Sequence, residues 1–153
     1  MSVYIGILSL IICTFSGYRL SCKYIERRKF FSDFYSFNEK MINEVSFTQK
    51  SLLNLSEKEK EAGSDFGNVL YGKIAEQKDI SLKYLKEEET VFFNEYVKNI
   101  GKSNRESQLV FLTAEKKMID ELRVEAQNDE KKYGKLFVKL GFLFGLIIFV
   151  ALI

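Results

Sequence analysis

The residue combinations that commonly do chemistry are largely missing from this sequence. None of its 153 residues is histidine, which removes the usual general base, the Ser–His and Cys–His nucleophile pairs, and most zinc and copper sites. No glycine-rich loop with a following Lys and Ser or Thr is present to hold phosphate. Acidic residues cluster at Glu87–Glu89 and at Asp129–Glu130, but they lack the ligand spacing of a calcium loop. We therefore expect no catalytic residue, no cofactor and no metal site, and a protein that is not an enzyme.

The two cysteines and the overall charge argue against a disulfide-rich protein and a nucleic-acid-binding protein. Cys13 and Cys22 lie in or beside an apolar run, where small, soft side chains serve packing, and two are too few for a disulfide framework. The chain has 23 basic and 21 acidic residues, so it lacks the strongly basic balance that binds nucleic acid. We expect no nucleic-acid partner.

The charged residues all lie between Arg19 and Lys139, which leaves an apolar run at each end of the sequence. A bilayer core needs a helix of about 17–20 apolar residues, and each run, with the last starting at Leu136, reaches about 27 Å as a helix. We predict transmembrane helices over residues 1–20 and 136–153, around a domain of residues 21–135. A buried core helix is the alternative for each run, although both runs are apolar on all faces and core helices are usually amphipathic.

For the first run a cleaved signal peptide or a lipoprotein box at Leu10–Cys13 is a further alternative. No Lys or Arg precedes the run, however, and Ile12 stands where a small residue belongs. Basic residues follow the first run and precede the second, and positive flanks stay in the cytoplasm. These residues are Arg19, Lys23, Arg27, Arg28, Lys29, Lys131, Lys132, Lys135 and Lys139. We predict a protein of the cell membrane, in contact with lipid, with a cytoplasmic domain and both termini on the far side.

The middle of the chain has the apolar spacing of an all-α domain, a cytoplasmic helical bundle. One amphipathic helix should follow the first span through Phe30–Val45, and a capping box at Ser46–Gln49 should start a short one. We expect a solvated connector at Ser56–Ser64 and another helix around Phe66–Ile74. A helix beginning at Glu87–Glu89 should end at Gly101. A second capping box, Ser103–Glu106, should start a long last helix that runs into the membrane, with Gly134 as its flex point.

Small residues recur at helical spacing inside both apolar runs. Ser9, Cys13 and Gly17 lie four residues apart, and Gly141 and Gly145 form a GxxxG pattern. Small residues allow close approach of helices in lipid. Both readings, packing of the two helices on each other and packing on other subunits, stay open.

The second half of the chain resembles the stage III sporulation protein AB family. That family carries a Leu-Gly-x-Ser-Asp-x-Glu-x-Gln pattern, then a long helix rich in Glu and Lys, a Lys/Arg-Tyr step and a final span containing Leu-Gly-x-x-x-Gly. The matching residues are Gly101, Ser103, Glu106, Gln108, Tyr133, Leu140, Gly141 and Gly145. Asn104 replaces the family's Asp and Ile100 its Leu. The match covers about residues 80–153, and the first half agrees in layout.

The resemblance implies a role in endospore formation, in the mother-cell membrane around the forespore. It implies a non-enzymatic platform subunit of a secretion-like channel, similar in its cytoplasmic part to type II secretion F-type platform proteins. The implied partners are a cytoplasmic secretion-type ATPase and other membrane subunits. The candidate contact with a partner is the turn of Ser103, Asn104, Arg105, Glu106 and Gln108. A membrane-anchored helical scaffold or signalling adaptor unrelated to secretion is the alternative function.

Overall fold

A computed structural model describes residues 2–47, 52–77 and 82–152, and every regular element in these ranges is helical. The prediction of an all-α fold is therefore confirmed. The elements are α1 (Ser2–Phe47), α2 (Leu52–Glu61), α3 (Asp65–Ala75), α4 (Glu87–Asn99), α5 (Arg105–Asp129), a π-helical turn (Glu130–Gly134) and α6 (Lys135–Leu152). The predicted capping box at Ser46–Gln49 lies partly outside the described residues, so it stays a prediction.

The chain forms two compact units. The terminal unit consists of Met1–Arg28 and Val124–Ile153, and the central unit consists of Lys29–Arg123. Helix α1 contributes residues to both units, because it continues without a break through the predicted span and the amphipathic segment that follows. The sequence contains no proline that would interrupt it.

Aromatic rings fill the core of the central unit. Phe30, Phe34 and Phe37 lie three or four residues apart on α1, so they share one face, and each is almost fully buried. Phe34 meets the ring of Tyr96 edge to face at 4.8 Å, and Phe30 meets that of Phe93 at 5.3 Å. Burying each phenylalanine contributes about 1.5–3 kcal/mol, and each edge-to-face pair adds about 0.5–1.5 kcal/mol. This cluster joins α1 to α4.

A buried asparagine connects three helices at the edge of this core. The Tyr96 hydroxyl donates to Asn38 Oδ1 at 2.8 Å, and Asn38 Nδ2 donates to the Leu112 carbonyl oxygen at 3.1 Å. Burial, and secondarily the carboxylate of Glu115, raises the pKa of the Tyr96 hydroxyl, which therefore stays protonated and keeps its role as donor. The network satisfies polar groups that would otherwise cost free energy in the core.

Helices α2 and α3 form a hairpin that differs from its predicted boundaries. Helix α2 extends to Glu61, and Ser56 within it is fully buried. The predicted connector over Ser56–Ser64 is therefore wrong as far as Glu61, although most of its side chains are exposed as predicted. The turn uses Gly63, whose φ is +75°, and Ser64 caps α3 by accepting a hydrogen bond from the Gly67 amide at 2.9 Å.

The last helical run contains a feature that the apolar spacing does not reveal. Helical residues continue from Arg105 to Leu152, but the five residues Glu130–Gly134 form a π turn. A single π turn of this kind is a local bulge within an α-helix. Gly134, the predicted flex point, is the last residue of this turn and is buried. Bending at Gly134 stays a prediction.

Candidate functional site

Within the terminal unit, α1 and α6 pack as an antiparallel pair at very short range. A Cβ built on Gly17 would collide with the carbonyl oxygen of Phe137 and would lie 3.3 Å from the Cα of Gly141. A Cβ on Gly141 would lie only 2.6 Å from the carbonyl oxygen of Cys13. Real Cβ atoms do not approach a backbone oxygen so closely, so both positions require glycine at this helix separation.

The close approach continues along the pair. A Cβ on Gly145 would lie 2.9 Å from the Cα of Leu10, and one on Gly6 would lie 2.7 Å from the ring of Phe149. The Ser9 hydroxyl donates to the Gly6 carbonyl oxygen at 2.8 Å, so this side chain binds its own helix. The structure thus brings Gly17, Gly141 and Gly145 into the interface of one chain, and it adds Gly6, which the four-residue spacing did not select. Packing within lipid stays a prediction.

The outer surfaces of both helices are apolar. Phe15 on α1 is 61% exposed and Ile147 on α6 is 64% exposed. Among the described residues, two helices are long and apolar enough to cross a membrane, Tyr4–Glu44 and Arg105–Ala151, and 17% and 11% of their most apolar windows are buried. A core helix of a water-soluble protein would be mostly buried instead. Both helices are therefore candidate membrane spans.

The interface becomes polar and aromatic toward the π turn. The Ser21 hydroxyl donates to the Gly134 carbonyl oxygen at 2.5 Å across the pair, and both residues are buried. One turn further, the Tyr24 ring lies 5.4 Å from that of Tyr133 and 5.8 Å from that of Phe137. Tyrosine is enriched where a membrane helix meets water, because its ring is apolar and its hydroxyl is polar. The tyrosine pair thus has the composition of a membrane–water boundary.

Arg27, which is buried next to these rings, forms ion pairs with two carboxylates that are partly exposed. Arg27 is 4% exposed, and its guanidinium lies 2.6 Å from Asp129 and 3.1 Å from Glu125. Arg28 lies 2.7 Å from Glu130 in a parallel ion pair. The planar guanidinium of arginine can donate hydrogen bonds to two carboxylates at once, and the ammonium of lysine is less suited to this. The sequence suggested only that both arginines were flanking charges, although Glu125 and Asp129 at four-residue spacing were a readable signal for a shared partner.

In the central unit, the family-like residues around Gly101 form a hydrogen-bonded corner between α4 and α5. Gly101 has a φ of +79°, which ends α4 in the left-handed conformation. The Gln108 side-chain oxygen accepts from the Gly101 amide at 3.0 Å and from the Ser103 hydroxyl at 3.2 Å. Gln108 is 4% exposed, so its side chain holds the corner from inside. Spacing alone could not assign this role to Gln108.

The other residues of this corner are at the surface. Ser103, Asn104, Arg105 and Glu106 are all exposed. The side chain of Asn104 accepts a hydrogen bond from the Ser107 amide at 3.0 Å, and α5 begins at Arg105. The predicted capping box with Ser103 as the cap is therefore wrong by one residue, because the Ser103 hydroxyl is used by Gln108. Contact of these residues with a partner stays a prediction.

Within the described ranges, no group of three or more His, Cys, Asp or Glu side chains is placed to hold a metal ion. The two cysteines are free.

One of three comparisons with known proteins gives a match, and it covers the corner and α6. Neither the comparison with curated proteins nor that with solved structures gives a match. The family model of stage III sporulation protein AB matches residues 54–153, which include the Gly101–Gln108 corner, the π turn and the whole of α6. That match spans more than half of the chain, and the chain belongs to the stage III sporulation protein AB family.

Proposed function

We propose that this protein is a non-enzymatic membrane platform subunit of a secretion-like channel that works during sporulation. Membership of the family implies a sporulation role. The observation that carries the proposal is the pairing of α1 with α6 through glycines, since it unites two candidate spans that flank a well-packed helical unit. Such a protein would offer a surface for assembly and would hold it at the membrane.

The charge distribution supports a cytoplasmic location for the central unit. Arg19 and Lys23 follow the apolar part of α1, and Lys131 and Lys132 precede that of α6, and all four are exposed. Basic residues beside a membrane helix remain on the cytoplasmic side. We therefore propose that both termini lie on the far side of the membrane, and that this membrane is the mother-cell membrane facing the forespore, as the sporulation family implies.

The exposed side of the Gly101–Gln108 corner is the proposed docking point for a cytoplasmic secretion-type ATPase. Gln108 fixes the corner from inside through two hydrogen bonds, so the exposed residues are held in place before a partner arrives. Preorganised contacts lose less entropy on binding. Arg105 and Glu106 carry opposite charges there, which can select an orientation of the partner.

A charge exchange at the corner tests this docking. Full-length protein in detergent micelles is mixed with a secretion-type ATPase made during sporulation of the same organism, and co-purification is measured. The R105E/E106R variant keeps the net charge but reverses the local pattern, so we expect at least about a tenfold loss of affinity. The matched control is K117E/E121K, which exchanges an exposed pair on the same helix, 4.0 Å apart, and should bind as the wild type does.

Two results would contradict the proposed docking. If the wild-type protein does not retain the ATPase at all, the platform role is wrong, and a membrane-anchored scaffold unrelated to secretion becomes the better reading. If both exchanged variants bind as tightly as the wild type, docking occurs elsewhere on the central unit.

A further inference from the structure

A groove beside the π turn combines a row of lysines with an apolar floor. It lies in the terminal unit between α1 and the π turn with the start of α6, and its volume is about 660 Å³. Lys131, Lys135 and Lys139 line one side. They are spaced by four residues, so their Cα atoms follow one another at about 6 Å along the helix. We call this feature the lysine groove.

The charge of the lysine groove is not neutralised within the protein. Glu130 also lines the groove, but its carboxylate lies against Arg28, and Asp129 lies against Arg27. In the part of the chain that the structure describes, Lys131, Lys135 and Lys139 take part in no ion pair, and all three are exposed. The groove therefore keeps three positive charges in a row for an external anion.

Part of the groove lining is apolar and suited to hydrocarbon. Tyr18, Ile25 and Val138 line it together with the lysines. The Ser21–Gly134 hydrogen bond lies at the same place and uses the polar atoms of those two residues internally. A small soluble anion would leave this apolar surface in water, whereas a molecule with an anionic head and an acyl chain would cover it.

We propose that the lysine groove binds an anionic phospholipid, with the phosphate on the lysines and the first part of an acyl chain along Tyr18, Ile25 and Val138. This inference rests on the membrane placement of the terminal unit. Lys139 lies one turn inside the apolar part of α6, where its long stem can carry the ammonium back to the headgroup level. Basic pockets between membrane helices on the cytoplasmic side recognise such headgroups.

The test measures retention of phosphatidylglycerol by the full-length protein. Phosphatidylglycerol is titrated into the protein in an uncharged detergent, and bound lipid is counted by native mass spectrometry. We expect one strongly retained lipid per chain and, for K131Q/K135Q/K139Q, an apparent Kd at least about tenfold higher. The matched control R19Q/K23Q/K132Q removes the same charge from exposed residues outside the groove lining, and its Kd should stay within about twofold of wild type.

Two further measurements make the outcomes distinct. Phosphatidylcholine and glycerol phosphate should each compete poorly, since the first lacks net charge and the second lacks an acyl chain. Equal losses in both triple variants, unchanged retention in both, or equal competition by glycerol phosphate would each overturn the lysine groove as a lipid site. Carbonate extraction from vesicles is the separate readout: release of the protein overturns the membrane placement and the groove with it, whereas resistance without lipid preference overturns the groove alone.

Discussion

At the residue scale, Glu115 is a carboxylic acid whose ionisation opposes folding. Partial burial, and secondarily the carboxylate of Glu95, raises the pKa of Glu115 above its usual value of 4.5. Below pH 4.5 the carboxyl is protonated in both the folded and the unfolded chain, and it costs nothing. As the pH rises through the raised pKa, the folded protein must ionise a disfavoured group, so its stability falls.

Glu115→Gln should therefore stabilise the protein at neutral pH and have no effect in acid. The amide keeps the size of the side chain but removes the charge that burial and Glu95 disfavour. We expect a gain below about 1 kcal/mol at pH 7, because the site is largely solvated. Thermal unfolding of the full-length protein in micelles, followed by circular dichroism from neutral to acid pH, measures it. The exposed Glu121→Gln is the control, and a Glu115→Gln protein less stable than wild type at pH 7 would contradict this account.

The role of a single residue could be predicted from the sequence only where it depends on neighbouring residues in the chain. Gly101 follows from helix-ending rules, and its left-handed φ agrees with them. The roles of Gln108 and Arg27 depend on partners that folding brings near, since Arg27 and Asp129 are 102 residues apart in the chain. The four-residue spacing of Glu125 and Asp129 indicates a shared partner, but it does not identify that partner as Arg27, because the contact forms only on folding.

At the scale of elements, the glycines of the helix pair set how close α1 and α6 can come. Gly141→Ala should push the helices apart, because its Cβ would lie 2.6 Å from the Cys13 carbonyl oxygen. We expect a loss of about 1–3 kcal/mol, the usual cost of overpacking. Hydrogen exchange of the full-length protein in micelles should show weaker protection in α1 and α6 and unchanged protection in α4.

Gly72→Ala is the matched control for this substitution. Gly72 lies inside α3, and a Cβ there would meet no atom within 4 Å. The same added methyl group should thus stabilise α3 by about 0.5–1 kcal/mol through helix propensity. Unchanged protection of α1 and α6 in Gly141→Ala would show that the two helices do not pack in the way described.

Most helices could be predicted from the sequence, but the end of α2 and the π turn between α5 and α6 could not. The acidic start of α4 at Glu87 and its end before Gly101 follow from the helix dipole and from glycine at the C-terminus. Helix α2 continues through the charged residues as far as Glu61, and Ser56 within it is buried. Burial depends on contacts with other parts of the chain, so the local sequence does not show it. The π turn lies where Ser21 binds the Gly134 carbonyl and Arg28 binds Glu130, and neither contact is visible in helical spacing.

At the scale of the whole molecule, thiol labelling from each side of the membrane tests the topology. Single cysteines are placed in turn at Ser2, Ser64 and Ile153 in a chain whose Cys13 and Cys22 have been replaced by alanine. The protein is expressed in non-sporulating cells, whose membrane faces the medium. An impermeant reagent added to these intact cells should label positions 2 and 153 and should reach position 64 only after lysis, because the basic flanks keep the central unit inside. Labelling of position 64 in intact cells would reverse the topology and remove the proposed contact with a cytoplasmic ATPase.

The pairing of Ser21 with Gly134 has a consequence for biosynthesis, because 113 residues separate them in the chain. At ordinary rates of translation the ribosome needs roughly 6–23 s to add that many residues. On the proposed topology, the nascent α1 therefore waits in the bilayer with its glycine face against lipid until its partner is inserted. During that interval the same face is available to any neighbouring protein, so the timing of synthesis, and not only the final contacts, decides which helix occupies it.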